Sequence, residues 1–149
     1  MRTSEILKKF EPRKENILLI LHALQDDNAQ YHLSANDMRE VAKYLKVSRG
    51  EVFGIATYYS MFSVTPRGRH IVRVCDSPIC HMEGSNEVLE YLRAAIGVGI
   101  GETTADGRFT VERTECLGRC GTAPAILIDE DTYTGVTEAK LRSIFGRYA

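Results

Sequence analysis

Four cysteines stand in two pairs along this chain of 149 residues. Cys75 and Cys80 bracket Asp76-Ser77-Pro78-Ile79, and Cys116 and Cys120 bracket Leu117-Gly118-Arg119. Thirty-five residues lie between the pairs. Thiolates are ligands for soft metals, here a zinc ion or an iron–sulfur cluster. A [2Fe–2S] cluster has two irons, each needing two thiolates, and two separate loops with two cysteines each meet that need. Structural zinc sites commonly leave two to four residues between ligands, so the spacing admits zinc as well. Gaps of four and three residues suit the wider, two-iron object slightly better. There is no Cys-x-x-Cys, which argues against a thioredoxin-type dithiol. Cysteine buries readily, but four unrelated buried thiols would not be expected to gather in two loops carrying proline and glycine.

Further groups in the second loop can act on sulfur. The backbone N–H groups of Gly118 and Gly121 and the Thr122 hydroxyl are candidate donors, because glycine lets a backbone approach closely. A positive charge at Arg119 beside the sulfurs would raise a cluster potential. Its side chain can equally turn outward to solvent or to a partner carboxylate. His81 follows Cys80 directly and is a possible ligand type. With four thiols available, a role in the loop around the site is the simpler reading.

These loops must be held by secondary structure. Up to about residue 62 the chain reads as a small bundle of three or four helices. The first lies around Ile6, Leu7 and Phe10. A second is opened by Glu11-Pro12, since proline is tolerated in a first turn, and carries Ile17, Ile20, Leu21 and Leu24 at helical spacing. Ser34 and Asp37 have capping-box spacing ahead of Met38, Val41, Ala42 and Leu45. Ser48 and Glu51 repeat that logic before Val52, Ile55, Ala56 and Tyr59. Thr65-Pro66-Arg67-Gly68 is a turn-rich link. Beyond it, Ile71 to Val74 read as a strand ending at Cys75. Ser85 caps a helix with Val88, Leu89, Leu92 and Ile96. Asp106-Gly107 marks a turn, and Phe109, Val111 and Arg113 alternate as a strand. Ala125 to Ile128 form another, with Tyr133 to Val136 as its hairpin partner, and Thr137 caps a last helix. The second half is therefore a compact α/β layer domain. Each cysteine pair follows a strand. If those strands are neighbours, both loops emerge at one end of the sheet and the thiols converge.

Composition narrows the function classes. Hydrophobic residues make up 44% and charged residues 26%, ordinary for a globular protein. The formal net charge is −1, which argues against a general nucleic-acid binder. Residues 1–70 hold 11 Lys/Arg against 8 Asp/Glu and residues 71–149 hold 8 against 12, a mild asymmetry that reads as ordinary solvated surface. The start, Met1-Arg2-Thr3-Ser4-Glu5, lacks signal-peptide features. The densest apolar run, around Ile17 to Leu24, is broken by His22 and falls short of a membrane span. A cytoplasmic chain with no direct membrane insertion is expected, where four cysteines point to metal or catalysis rather than disulfides.

Several motifs together resemble one family. Gly54-Ile55-Ala56-Thr57-Tyr58-Tyr59-Ser60-Met61-Phe62 precedes the link, and Pro66, Gly68 and His70 lead into Cys75. Gly101-Glu102-Thr103-Thr104 with Asp106-Gly107 comes next, then Glu115-Cys116-Leu117-Gly118-Arg119-Cys120 with Ala123-Pro124. Over nearly its whole length the chain resembles the thioredoxin-like [2Fe–2S] subunit of complex I-type NADH dehydrogenases, the NuoE-like family. Relatives serve NAD-linked and electron-bifurcating hydrogenases and formate dehydrogenases. The resemblance implies an N-terminal helical bundle over residues 1–64 and a thioredoxin-like [2Fe–2S] ferredoxin domain over 65–149, an α+β or α/β architecture. It implies one [2Fe–2S] cluster on Cys75, Cys80, Cys116 and Cys120. It implies a non-catalytic electron-transfer subunit of an NADH-linked oxidoreductase, with no substrate site of its own. FMN and NAD(H) would sit in a flavoprotein partner, where the hydride chemistry belongs. Further iron–sulfur, hydrogenase or dehydrogenase subunits would carry the terminal acceptor. Two alternatives stand beside it: a zinc-stabilised interaction module without redox role, and a free-standing thioredoxin-like ferredoxin. The chain departs from the family at Arg119, where many relatives carry a small residue, and at Asp129, where asparagine is frequent.

Three remaining features have plainer readings. Gly97-Val98-Gly99-Ile100-Gly101 looks like a nucleotide loop but follows a helix rather than a strand, so it fails its context test. His70 reads as structural or as part of a partner surface. Tyr58, Tyr59, Met61 and Phe62 read as packing between the two halves, with some of the surface open to a partner.

Overall fold

The computed structural model describes residues 2–148 and divides the chain into two compact units, Met1–Pro66 and Arg67–Ala149. The first unit holds four helices: α1 (Arg2–Leu7), α2 (Ile17–Asp26), α3 (Ala35–Leu45) and α4 (Arg49–Tyr58). Their apolar faces meet in a core built on Ile20, Leu21, Leu24, Leu33, Val41 and Val52. Helices this short are marginal alone and depend on that packing.

Local chemistry sets the helix ends. At α3 the Ser34 hydroxyl accepts the Asp37 N–H and the Asp37 carboxylate accepts the Ser34 N–H, each at 3.1 Å. At α4 only half of that box forms. Ser48 Oγ accepts the Glu51 N–H at 3.1 Å, while the Glu51 carboxylate pairs with Lys14. The expected opening of α2 at Pro12 does not occur. Arg13 is extended (φ −114°, ψ 139°) and its N–H returns to the Glu11 carbonyl. A 3₁₀ turn over Lys14–Asn16 then leads into α2 at Ile17. Phe62 is buried in the core of the helical unit, and Tyr59 packs against that core and edge-on to Phe62. The buried Gln25 amide ties that segment to α2, donating to the Met61 carbonyl at 3.0 Å and accepting the Ser63 N–H at 2.8 Å.

The second unit is a four-stranded sheet of β1 (His70–Cys75), β2 (Phe109–Thr114), β3 (Ala125–Ile128) and β4 (Asp131–Thr134), in the order β2-β1-β3-β4. Strand β1 runs parallel to β2 and antiparallel to β3, and β3 and β4 form a hairpin. Three helices complete the unit: the short α5 (Pro78–Met82), α6 (Ser85–Ile96) and α7 (Glu138–Phe145). Val72, Val74, Phe109, Val111, Ile126 and Ile128 of the sheet pack with Val88 and Leu92 of α6 and Leu141 and Ile144 of α7.

The link enters this unit through two specific contacts. Arg67 is buried and its Nε stands 2.9 Å from the Glu112 carboxylate. Gly68 donates to Thr110 Oγ1 at 2.7 Å, and a Cβ there would fall 2.9 Å from the Phe109 carbonyl carbon. Only glycine lets the backbone run so close.

Two expected boundaries shift. Ser85 lies inside α6, and Gly84 takes the capping position with φ 104°. A left-handed residue there suits glycine better than serine. The partner of β3 begins at Asp131 rather than Tyr133, because Ile128 pairs with Asp131 and leaves only Asp129 and Glu130 as the turn. Asp129 takes φ 53° there. Its carboxylate accepts the Ile71 N–H at 2.9 Å and meets His70 Nδ1 at 2.7 Å, closing the hairpin onto the start of β1. His70 also stacks near Phe109 and Tyr148, a structural setting.

Candidate metal centre

Strand direction gathers the cysteines. Cys75 ends β1, and the parallel β2 ends at the same edge at Thr114, two residues before Cys116. The antiparallel β3 begins there at Ala125, after a 3₁₀ turn over Cys120–Thr122 and a cis Ala123–Pro124 bond. A backbone bond from Asp76 N–H to the Thr114 carbonyl (3.0 Å) fastens the two loop roots together. Convergence of the loops required the strands before them to be neighbours, and β1 and β2 are neighbours.

The two pairs differ in surroundings. Cys75 and Cys80 are each 1% exposed and pack with Ala125, Leu117 and Ala123 in a small cluster of their own. Cys116 and Cys120 are exposed, and their sulfurs are 3.7 Å apart. No disulfide joins any of the four. Two thiolates bound at about 2.3 Å to one tetrahedral metal stand about 3.8 Å apart, so this pair already has the spacing of two ligands on one ion. Among the described residues no three His, Cys, Asp or Glu side chains gather closely enough to hold a single ion. A two-iron group takes two thiolates on each iron, and Cys116 and Cys120 have the spacing of one such pair.

Backbone donors aim at the buried pair. Burial pushes the Cys75 thiol up, but its hydrogen bonding with the Ser77 side chain, with the Ser77 and Leu117 N–H groups and with Cys80 outweighs that, leaving Cys75 below the ordinary thiol value. Burial raises Cys80, as does the neighbouring Cys75, against the Ala125 N–H and Ser77. Cys120 is raised chiefly by Cys116 beside it, and it also feels Cys80 and Cys75. Backbone donors beside the buried sulfurs, four free cysteines and the spacing at Cys116 and Cys120 all fit a cluster held by these residues.

The structure brings together some of the expected helpers and not others. Gly118 adopts φ 70° and its N–H points to Cys116 Sγ at 3.4 Å. The Thr122 hydroxyl turns instead to the Arg119 carbonyl at 3.4 Å. Gly121 is exposed, and a Cβ there would meet nothing within 4 Å, so no close approach requires its glycine. Arg119 is exposed. His81 lies 4.0 Å from Asp76, which also pairs with Arg113. The glycine-rich stretch is the end of α6, with Gly97 as its left-handed cap (φ 77°), followed by a bridge from Ile100 to Val111.

Sequence reasoning missed α5, Ser77, and the N–H groups of Leu117 and Ala125. The first was readable, since serine followed by proline matches a helix cap with proline at the first position. The backbone donors carry no sequence signal, because every residue except proline has the same N–H.

Comparison with known proteins gives a consistent picture. A family model described as thioredoxin-like [2Fe–2S] ferredoxin matches residues 3–149. One component of the NADH-quinone oxidoreductase of Aquifex aeolicus is 31% identical over 147 residues, covering 99% of this chain and 91% of its own. A component of the NADH-quinone oxidoreductase of Thermus thermophilus is 33% identical over 143 residues, 94% of this chain and 78% of its own. Among solved structures, an NAD+-reducing [NiFe]-hydrogenase in the H2-reduced state superimposes with a TM-score of 0.75 at 26% identity. That match covers 89% of this chain and 22% of the hydrogenase chain. No helix among the described residues is long and apolar enough to cross a membrane.

Proposed function

Because the chain belongs to the thioredoxin-like [2Fe–2S] ferredoxin family, we propose that it is the single-electron-carrying subunit of a multisubunit NADH-linked oxidoreductase. The observation that carries this reading is the set of four free cysteines at one end of the sheet, two buried and two at the surface. Cys75, Cys80, Cys116 and Cys120 are proposed as the ligands, with Cys116 and Cys120 sharing one iron on the strength of their 3.7 Å separation. When bound, the cluster supplies one-electron storage and release.

The protein's own part is positioning. Strands β1 and β2 hold the two loops at one edge. The Ala125 and Leu117 N–H groups stabilise negative charge on the buried sulfurs. The buried pair keeps water from one side of the site, while Cys116 and Cys120 face outward, where a redox partner can approach. A carrier of this kind needs neighbours for both ends of the electron's path. The relatives are named as parts of NADH-quinone oxidoreductases and an NAD+-reducing hydrogenase. That context supports a flavoprotein partner holding FMN and NAD(H), with further iron–sulfur, hydrogenase or dehydrogenase subunits beyond it. Residues 1–64 are proposed as a domain separate from 65–149. The helical domain is not needed to hold the cluster, which favours a role within a complex over a free-standing carrier. A cytoplasmic setting, or the cytoplasmic side of a membrane complex, goes with this reading.

The test is direct. Purified, reconstituted chain is expected to be brown, to carry about two irons and two acid-labile sulfides, and to give an EPR signal on reduction. Serine at any one of the four cysteines should lower the iron content. A colourless protein with one zinc per chain would overturn the proposal. Affinity purification from native cells should bring down a flavin-containing protein. A monomer recovered alone would support the free-standing ferredoxin instead.

A further inference from the structure

Three helices of this chain open on a hydroxyl residue whose oxygen accepts a backbone N–H of the first turn: Ser34, Ser48 and Thr137. Ser77 holds the same position ahead of α5. Its backbone (φ −71°, ψ 154°) nearly repeats that of Ser34 (φ −71°, ψ 158°), yet its side chain makes no capping bond. The Ser77 oxygen accepts instead from the Cys75 thiol, at 3.4 Å. A hydroxyl able to cap a helix has been turned to a sulfur.

In the metal-free chain the thiol gives the proton to this bond. A metal-bound sulfur has none, so the hydroxyl becomes the donor. Reduction places an extra negative charge on the cluster and its sulfurs. A hydrogen bond to a ligand sulfur therefore favours the reduced form and raises the potential. The location strengthens the effect, because Cys75 and Cys80 are each 1% exposed and water screens them little.

We infer that Ser77 sets the potential of this site, its hydroxyl donating to the Cys75 sulfur and favouring the reduced state. The inference rests on the reading of the four cysteines as cluster ligands. Ser77 is a positioning residue, since it acts through Cys75 rather than on iron.

The test compares full-length, cluster-loaded wild type with Ser77→Ala, Ser77→Gly and Ser77→Thr by redox-poised EPR. Glycine is tolerated at a helix cap, so Ser77→Gly removes the hydroxyl even if the alanine variant folds poorly. Both hydroxyl-less variants should move the equilibrium about tenfold toward the oxidised form, which is about 59 mV lower for a one-electron couple. Ser77→Thr should keep the wild-type potential. A purely structural role would change cluster loading or melting without rescue of the potential by threonine. Wild type that takes up no iron would overturn the ligand reading and this inference with it. Wild type with two irons, and Ala and Gly variants at its potential, would overturn this inference alone.

Discussion

Arg119 immediately precedes Cys120 in the second loop, and its side chain stands in solvent. A charge so exposed is screened by water and salt, so its effect on the site is small. Arg119→Ala should lower the midpoint potential in the same direction as loss of the Ser77 hydroxyl but by less, and the difference should shrink as salt is raised. Redox titration at two ionic strengths checks this. A further ionisable group with a shifted titration, Tyr148, is at the far end of the sheet. Tyr148 donates to Asp131 Oδ2 at 2.7 Å and its oxygen lies 2.9 Å from Tyr133 Oη. Burial, the bond with Tyr133 and the Asp131 carboxylate all push the Tyr148 phenol above its usual value. The unfolded chain releases this proton near the ordinary tyrosine value of about 10, while the folded chain retains it. The stability Tyr148 contributes is therefore whole below about pH 10 and falls as pH rises beyond it. Tyr148→Phe should flatten the alkaline side of a stability-against-pH curve measured by urea unfolding.

At the scale of elements, caps and turns carry much of the specification. The Ser34–Asp37 box satisfies free N–H groups at the start of α3 from both sides. Ser34→Ala should cost about 1 kcal/mol in denaturant unfolding of the helical unit, and should leave cluster content unchanged. The box at Ser48 is half-formed because Glu51 has a better partner in Lys14. That choice depends on a residue 37 positions away, and spacing within α4 carries no sign of it. The Ser85 boundary moved for a related reason. The hydroxyl is a fair cap by type, but the chain leaves α5 through a left-handed turn at Gly84, and that residue takes the cap so that Ser85 falls in the first turn.

Among the described residues there are two hydrophobic cores, one in each compact unit, and a smaller cluster around Cys75 and Cys80. A group bound only by the folded form stabilises the unit that binds it. Removing the cluster with a chelator under reducing conditions should lower protection of the Val72 amide in hydrogen exchange. The Leu21 amide, in the other core, should change far less. Equal loss at both would mean that the units unfold together. The even charge balance, a net −1 over 149 residues, is suited to a protein whose contacts are with other proteins rather than with nucleic acid.

The sequence alone determined the chemistry on offer. Two cysteine pairs after strands, amphipathic helices with serine caps, and a run of matching motifs were enough to place the thiols and name the family. These are properties of side-chain type and spacing. Tertiary structure decided how the chemistry is divided. It buried Cys75 and Cys80, left Cys116 and Cys120 at the surface, and turned the Ser77 hydroxyl away from its helix. It also aimed the Leu117 and Ala125 N–H groups at the first pair and sent the Thr122 hydroxyl elsewhere. Backbone donors are alike in every residue. What aims them is the pairing of β1 with β2 and β3, strands that lie about forty or more residues apart in the chain, and no local pattern encodes that.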